Sequence, residues 1–194
     1  MARLTIDLKQ PTAPGWAEYV AERFDEFLID HANCERKASA LAMSFVVRYS
    51  DRIRIHPTLI DLAQEELLHF KQVYELMLDR GLLLVPDEKD PYVNNLIGLC
   101  RSGREERFLD RLLVASLVES RGAERFRLLH EVLADPALKA FYRDLWACEA
   151  KHGNQFTGMA LEYFPAETVY DRLDTLAEGE AQILTGLPWR ASLH

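Results

Sequence analysis

Residues 62–73 read Leu-Ala-Gln-Glu-Glu-Leu-Leu-His-Phe-Lys-Gln-Val, and within them Glu66 and His69 stand three positions apart. On a helix that spacing puts both side chains on one face. The apolar residues around them, Leu59, Leu62, Val73 and Leu76, recur at steps of three and four, so the pair interrupts a stripe that should be dry. The pattern returns at Glu149 and His152, among Leu138, Tyr142, Leu145, Phe156 and Met159. A lone glutamate precedes each pair: Glu35 by 31 residues and Glu119 by 30. Glu35 lies in the stripe Phe24, Leu28, His31, Ala38, Ala42, Phe45 and Tyr49. Glu119 lies in the stripe Phe108, Leu112, Ala115, Gly122, Phe126 and Leu129.

Burying an unpaired carboxylate costs several kcal/mol even after relaxation. Four together would exceed a domain stability of roughly 5–15 kcal/mol. Two histidines do not supply the missing positive charge; two divalent metal ions do. A glutamate from each of two helices plus Glu-x-x-His from each of two others is the ligand set of a carboxylate-bridged di-iron or di-manganese bundle. The competing reading places single glutamates at stripe edges, paired with arginines. It serves for one position and strains at six in repeated spacing. Carboxylate and imidazole donors with open positions suit iron or manganese rather than a closed zinc site.

The rest of the chain fits an all-α domain. A length of 194 residues with 48% hydrophobic and 28% charged content suits a single globular domain, 1–194, with an N-terminal arm (1–14) and a C-terminal tail (185–194). No run approaches the roughly 20 apolar residues of a membrane span, and no signal-peptide pattern opens the chain, so a cytoplasmic protein is expected. A weak alternation at Leu4, Ile6 and Leu8 is followed by Pro11, Pro14 and Gly15. A first helix is expected from Gly15 or Trp16 to Tyr49, with a break around Asp30. The second runs from Pro57 to Arg80 and stops at Gly81. After a connector, Leu82 to Asp90, come a short helix (Tyr92–Cys100), a third ligand helix (Arg104–Val132) and a fourth that Asp135 and Pro136 open. A last helix covers Ala166–Leu184. From His69 to Glu119 is 50 residues, the extra length a crossover between two hairpins needs. The expected fold is therefore a ferritin-like four-helix bundle with a long crossover and extra terminal helices. Cys34, Cys100 and Cys148 form no Cys-x-x-Cys pair, and Cys34 and Cys148, each just before a glutamate of the pattern, read as small core filler.

Four blocks carry a more specific likeness: FLIDHANCERKASALA (27–42), LAQEELLHFKQV (62–73), ASLVESRGAERFRLL (115–129) and CEAKH (148–152). In this order they resemble the tRNA-(2-methylthio-isopentenyladenosine) hydroxylases, over roughly residues 14 to 165. The resemblance implies an oxygen-dependent di-iron monooxygenase acting on the isopentenyl side chain of the modified purine beside the tRNA anticodon. Dioxygen and an external electron donor would be its co-reactants. It also implies that Glu35, Glu66 and His69 serve mainly one iron and Glu119, Glu149 and His152 the other, with Glu66 and Glu149 bridging. In tyrosyl-radical relatives a tyrosine commonly follows the first ligand histidine by four residues; here Val73 stands there and Tyr74 is turned off the stripe.

His31, four residues before Glu35, reads either as a hydrogen-bond partner or proton relay behind the metal ligands or as a core histidine paired elsewhere. Asp30 and Arg121 are further candidates for that supporting role. The net charge of −8 is the wrong sign for a general polyanion binder. Its distribution is uneven, however: Arg101, Arg104, Arg107, Arg111 and Arg125 form a candidate RNA-binding face, and Arg48, Arg52 and Arg54, with Arg36 and Lys37, a second basic spot. Solvated helix faces laced with ion pairs explain the same arginines equally well. Two other functional classes remain: a ferritin-like oxidase or peroxidase acting on a small molecule, and a helical interaction module without catalysis.

Overall fold

The computed structural model describes residues 6–86 and 89–194. Leu4 of the N-terminal alternation, and Asp87 and Glu88 of the connector, lie outside the described residues. Among those described there are seven α-helices and no strand: α1 (Trp16–Glu22), α2 (Phe24–Arg48), α3 (His56–Asp79), α4 (Pro91–Gly98), α5 (Arg104–Val132), α6 (Pro136–Leu161) and α7 (Ala166–Gly186). None is long and apolar enough to cross a membrane. The chain gathers into two compact units, one built mainly of 18–88 with 190–193, the other of 1–17, 89–189 and residue 194.

The first unit is the hairpin of α2 and α3. Its register is set where Ser39 Oγ donates to the Ala63 carbonyl at 2.7 Å. Phe27, Leu28, Phe45, Leu59, Leu62, Val73 and Met77 form its dry face. The sequence-based break at Asp30 is absent. The helix is interrupted instead at Arg23, whose φ of −120° and ψ of 36° leave the helical region. Arg23 Nη1 there donates to the Tyr19 carbonyl at 3.3 Å, satisfying an acceptor at the end of α1. Asp30 does not break α2 because its carboxylate is used at long range: Oδ2 accepts from the Leu193 backbone N–H at 2.8 Å. α3 stops where expected, with Gly81 at φ +70°, a backbone state that glycine enters without strain.

The second unit packs α5 on α6, with α4 and α7 against them. Asp90 and Asp135 cap α4 and α6, each accepting from two backbone N–H groups of the first turn. α5 and α6 approach closely beside their ligand residues. Ser116 Oγ donates to the Gly153 carbonyl at 2.6 Å and lies 2.8 Å from Thr157 Oγ1. A Cβ on Gly153 would come within 2.7 Å of Ser120 Oγ and 3.2 Å of the Ser116 carbonyl oxygen. An added Cβ would force the Ser120 hydroxyl aside and press on the α5 backbone. A buried junction holds the remaining parts of the unit: Arg121 reaches Glu180, Glu124, Thr12 Oγ1 and the Gln10 carbonyl, and Tyr92 Oη donates to Glu180 at 2.8 Å. Asp110 makes a second junction, accepting from Arg101 and from Arg172 of α7. Burial works to raise the Asp110 pKa, but these arginine hydrogen bonds outweigh it and hold the group below its ordinary value of 3.8.

Two outcomes follow. Gly153→Ala should destabilise by about 1–3 kcal/mol through overpacking at the α5–α6 crossing, read by urea denaturation. The Asp110 contribution is present above the ordinary carboxylate range and is lost as pH falls through its lowered folded pKa. Asp110→Asn should thus lower stability at neutral pH and flatten the stability profile below about pH 4. An unaltered acid limb in this variant would show that the junction contributes nothing.

Candidate metal-binding site

The four stripes read from the sequence are the buried faces of α2, α3, α5 and α6; of their residues only Ala38, Leu76 and Leu138 are half-buried. Glu35, Glu66, His69, Glu119, Glu149 and His152 are all buried, none more than 8% exposed. Each unit brings three of them together.

In the α2–α3 hairpin, Glu35, Glu66 and His69 each present a donor atom within 4.8 Å of the others. His69 Nδ1 stands 3.5 Å from Glu66 Oε2 and 3.6 Å from Glu35 Oε2. These separations are too long for N–H···O hydrogen bonds. They are close to the roughly 3–3.5 Å expected between donors that share one divalent ion at about 2.1 Å. The other oxygen of Glu35 is already held, with His31 Nε2 lying 2.7 Å from Oε1. The His31 ring is buried and rests against Phe27, with centroids 5.6 Å apart. His31 is thus paired with Glu35: one Glu35 oxygen is tethered and the other is turned toward His69.

The second triad, Glu119, Glu149 and His152, has the same dimension: one donor atom from each within 4.8 Å. His152 Nδ1 is 3.3 Å from Glu149 Oε2. Its Nε2 lies 3.5 Å from Cys148 Sγ, a contact the sequence reading missed. Cys148 was expected as core filler because adjacent residues diverge by about 100° around a helix. The relevant spacing is from Cys148 to His152, four residues and one turn, which brings the thiol beneath the imidazole. With Nε2 engaged by sulfur, the imidazole turns Nδ1 toward Glu149. Buried carboxylates and imidazoles in this arrangement fit a metal centre. Val73 is buried at the radical-tyrosine position, and Tyr74 stacks on Phe70 at 5.8 Å.

Other expected site residues are placed differently. All three guanidinium nitrogens of Arg121 bond within its own junction, to Glu180, Glu124, Thr12 and Gln10, rather than to a metal ligand. Asp30 anchors the Leu193 backbone. Among the candidate RNA-binding arginines, Arg125 is a correction: it is 6% exposed, with its guanidinium 4.8 Å from the centre of the Trp16 ring. Burial lowers its pKa to about 10. A group so enclosed does not meet phosphate. Arg101 is committed to Asp110 through two side-chain bonds of 2.8 and 3.1 Å. Arg104 is exposed, and Arg107 and Arg111 are half-buried.

Comparison with known proteins adds four findings. The model of the tRNA-(MS2IO6A)-hydroxylase (MiaE) family matches residues 2–194. The tRNA 2-(methylsulfanyl)-N(6)-isopentenyladenosine(37) hydroxylase of Pseudomonas putida is 35% identical over 153 residues, which cover 79% of this chain and 74% of the relative. The Salmonella typhimurium protein of the same description is 31% identical over 123 residues, covering 63% of this chain and 45% of its own. A solved structure described as protein 43 with aldehyde deformylating oxygenase activity, from Synechococcus, superposes with a TM-score of 0.91 at 38% identity. That match covers 96% of this chain and 94% of the other. The all-α, ferritin-like fold expected from the sequence is the one found.

If Cys148 orients His152, Cys148→Val should weaken metal retention about 10–100-fold in chelator competition, while Cys148→Ser keeps most of it. Identical competition curves for wild type and the valine variant would return Cys148 to the role of filler.

Proposed function

The chain belongs to the tRNA-(MS2IO6A)-hydroxylase (MiaE) family, and we propose that it hydroxylates the isopentenyl side chain of 2-methylthio-isopentenyladenosine beside the tRNA anticodon. The observation that carries this reading is the coincidence of a whole-chain family match with two buried Glu-Glu-His triads, one on each hairpin. From the repeated ligand pattern of the sequence we infer that residues 1–194 act as one domain that holds two iron ions. Glu66 and Glu149 are the proposed bridges, being the carboxylates of the Glu-x-x-His pairs. Bound iron would supply reductive activation of dioxygen, chemistry that no side chain of this protein can perform.

The protein's own groups have narrower tasks. Glu35 is steadied through its Oε1 by His31, leaving Oε2 for the metal side. His152 is oriented by Cys148. The apolar neighbours Leu28, Leu62, Val73, Leu112, Leu145 and Phe156 are buried along the ligand stripes and keep bulk water from the ligands. The two electrons of each turnover would come from an external donor. The tRNA anticodon stem-loop as substrate puts the reaction in the cytoplasm.

A single-turnover experiment tests the assignment. Iron-loaded protein is reduced chemically and mixed with oxygen and tRNA bearing the isopentenyl adenosine; the nucleosides are then analysed by mass. One added oxygen on the side chain is expected, with iron near two ions per chain, and both should be lost in Glu149→Ala. A fully iron-loaded protein that leaves tRNA untouched but converts an aldehyde would overturn the substrate assignment. Full iron uptake by Glu149→Ala would overturn the ligand assignment.

A further inference from the structure

The stretch richest in arginine has few guanidinium groups left to meet RNA. Between residues 101 and 127 there are seven arginines, but Arg121 and Arg125 are buried, Arg101 is bonded to Asp110, and Arg127 Nη1 donates to Glu131 at 2.6 Å. The remaining three, Arg104, Arg107 and Arg111, are interleaved with Glu105, Glu106 and Asp110. The α2–α3 turn has the opposite balance. Over residues 47–56 the chain carries three basic residues, Arg48, Arg52 and Arg54, against a single acid, Asp51, whose carboxylate lies 3.6 Å from Arg52 Nε. In a protein of net charge −8 this is a local reversal of sign.

The turn is also rigidly built. Tyr49 and Ile55 are buried on either side of it. The Tyr49 ring stacks on Phe45 at 5.8 Å, and its carbonyl lies 3.1 Å from His56 Nε2. Backbone bonds from Arg52 to Tyr49 and from Ile55 to Arg52 close a short 3-10 turn at Ile53–Ile55. What this frame holds outward is mixed: Arg48 and Arg54 are exposed, and beside them Val47 is 77% and Ile53 71% exposed. Cations set among protruding apolar side chains suit a loop of nucleic acid, which offers phosphates and unstacked base or sugar surface together. A pre-ordered turn also avoids the entropic cost of fixing a mobile loop on binding.

We propose that the α2–α3 turn is the docking edge for the anticodon stem-loop, with Arg48 and Arg54 taking backbone phosphates and Val47 and Ile53 lying against sugar or base. This rests on the tRNA hydroxylase reading above and adds the surface that reading lacks. Thirteen residues of continuous α2 separate Glu35 from Arg48, about 20 Å of helix. The turn therefore grips RNA at a distance from the nucleotide being oxidised, and its part is positioning rather than base recognition.

The test is fluorescence anisotropy with a labelled anticodon stem-loop carrying the isopentenyl adenosine, across a salt series, using iron-loaded protein. Arg48→Glu/Arg54→Glu should bind at least tenfold more weakly, and its salt dependence should be shallower by about two in log–log slope. Its unfolding midpoint and iron content, both measured, should match wild type and thereby report an intact fold. Wild-type binding in this variant, with binding lost instead in Arg104→Glu/Arg107→Glu/Arg111→Glu, would move the docking surface to α5 and overturn the proposal. So would a turn that binds anionic lipid vesicles while its charge reversal leaves RNA affinity intact. A wild-type protein that neither binds the stem-loop nor hydroxylates tRNA would bring down the substrate reading itself. Hydroxylation of tRNA that the turn variant retains at wild-type KM would bring down only this surface.

Discussion

Four glutamates on the dry faces of four helices are the constraint to which the rest of the structure answers. Each would, alone, undo a large part of the stability that its helix gains by burial. The cost becomes tolerable only if the carboxylates share cations, and sharing cations demands fixed geometry. Several otherwise unconnected features can be traced to that demand. Ser39 pins the register of α2 against α3, and Gly153 lets α5 and α6 meet closely beside Glu119 and His152. His31 and Cys148, each one turn before a ligand, restrict how Glu35 and His152 can rotate.

Much of this was legible in the sequence because the signal was a contradiction. A glutamate in an apolar periodicity violates the pattern around it, and the violation recurred with the same spacing in both halves. The cap of α6 was legible for a local reason: its determinant, Asp135, acts within one helical turn. What was misread depends on partners far along the chain. Asp30 looked like a helix breaker because its partner, the Leu193 backbone, lies 163 residues away. Arg125 looked like a surface cation because Trp16, which covers it, comes from the start of the chain. Cys148 was missed for the opposite reason: its partner is one turn away, but sulfur close to imidazole has no sequence signature apart from the ligand it supports.

The arginines make the same point about charge. Counting them along the chain favours α5, where they are most frequent. Structure sorts them by employment. Arg121 and Arg101 are held in junctions that tie helices together, and Arg125 stacks under an aromatic ring. The α2–α3 turn has fewer cations, but its two exposed arginines stand on a frame fixed by Tyr49 and Ile55 and are accompanied by protruding apolar groups. Abundance of a residue type is thus a poor guide to surface chemistry when the same type also serves the interior.

The proposed ligands lie well inside their helices, which are 24 to 29 residues long. Helix ends fray readily, whereas central turns open only with the larger cooperative unit. A metal ion held at either triad, as proposed, would therefore be shielded from the cheapest local fluctuations. Exchange with free metal or chelator would then have to wait for a sub-global opening, which would make retention a matter of kinetics as much as affinity. Raising the chelator concentration would speed removal only up to the opening rate of the helices themselves.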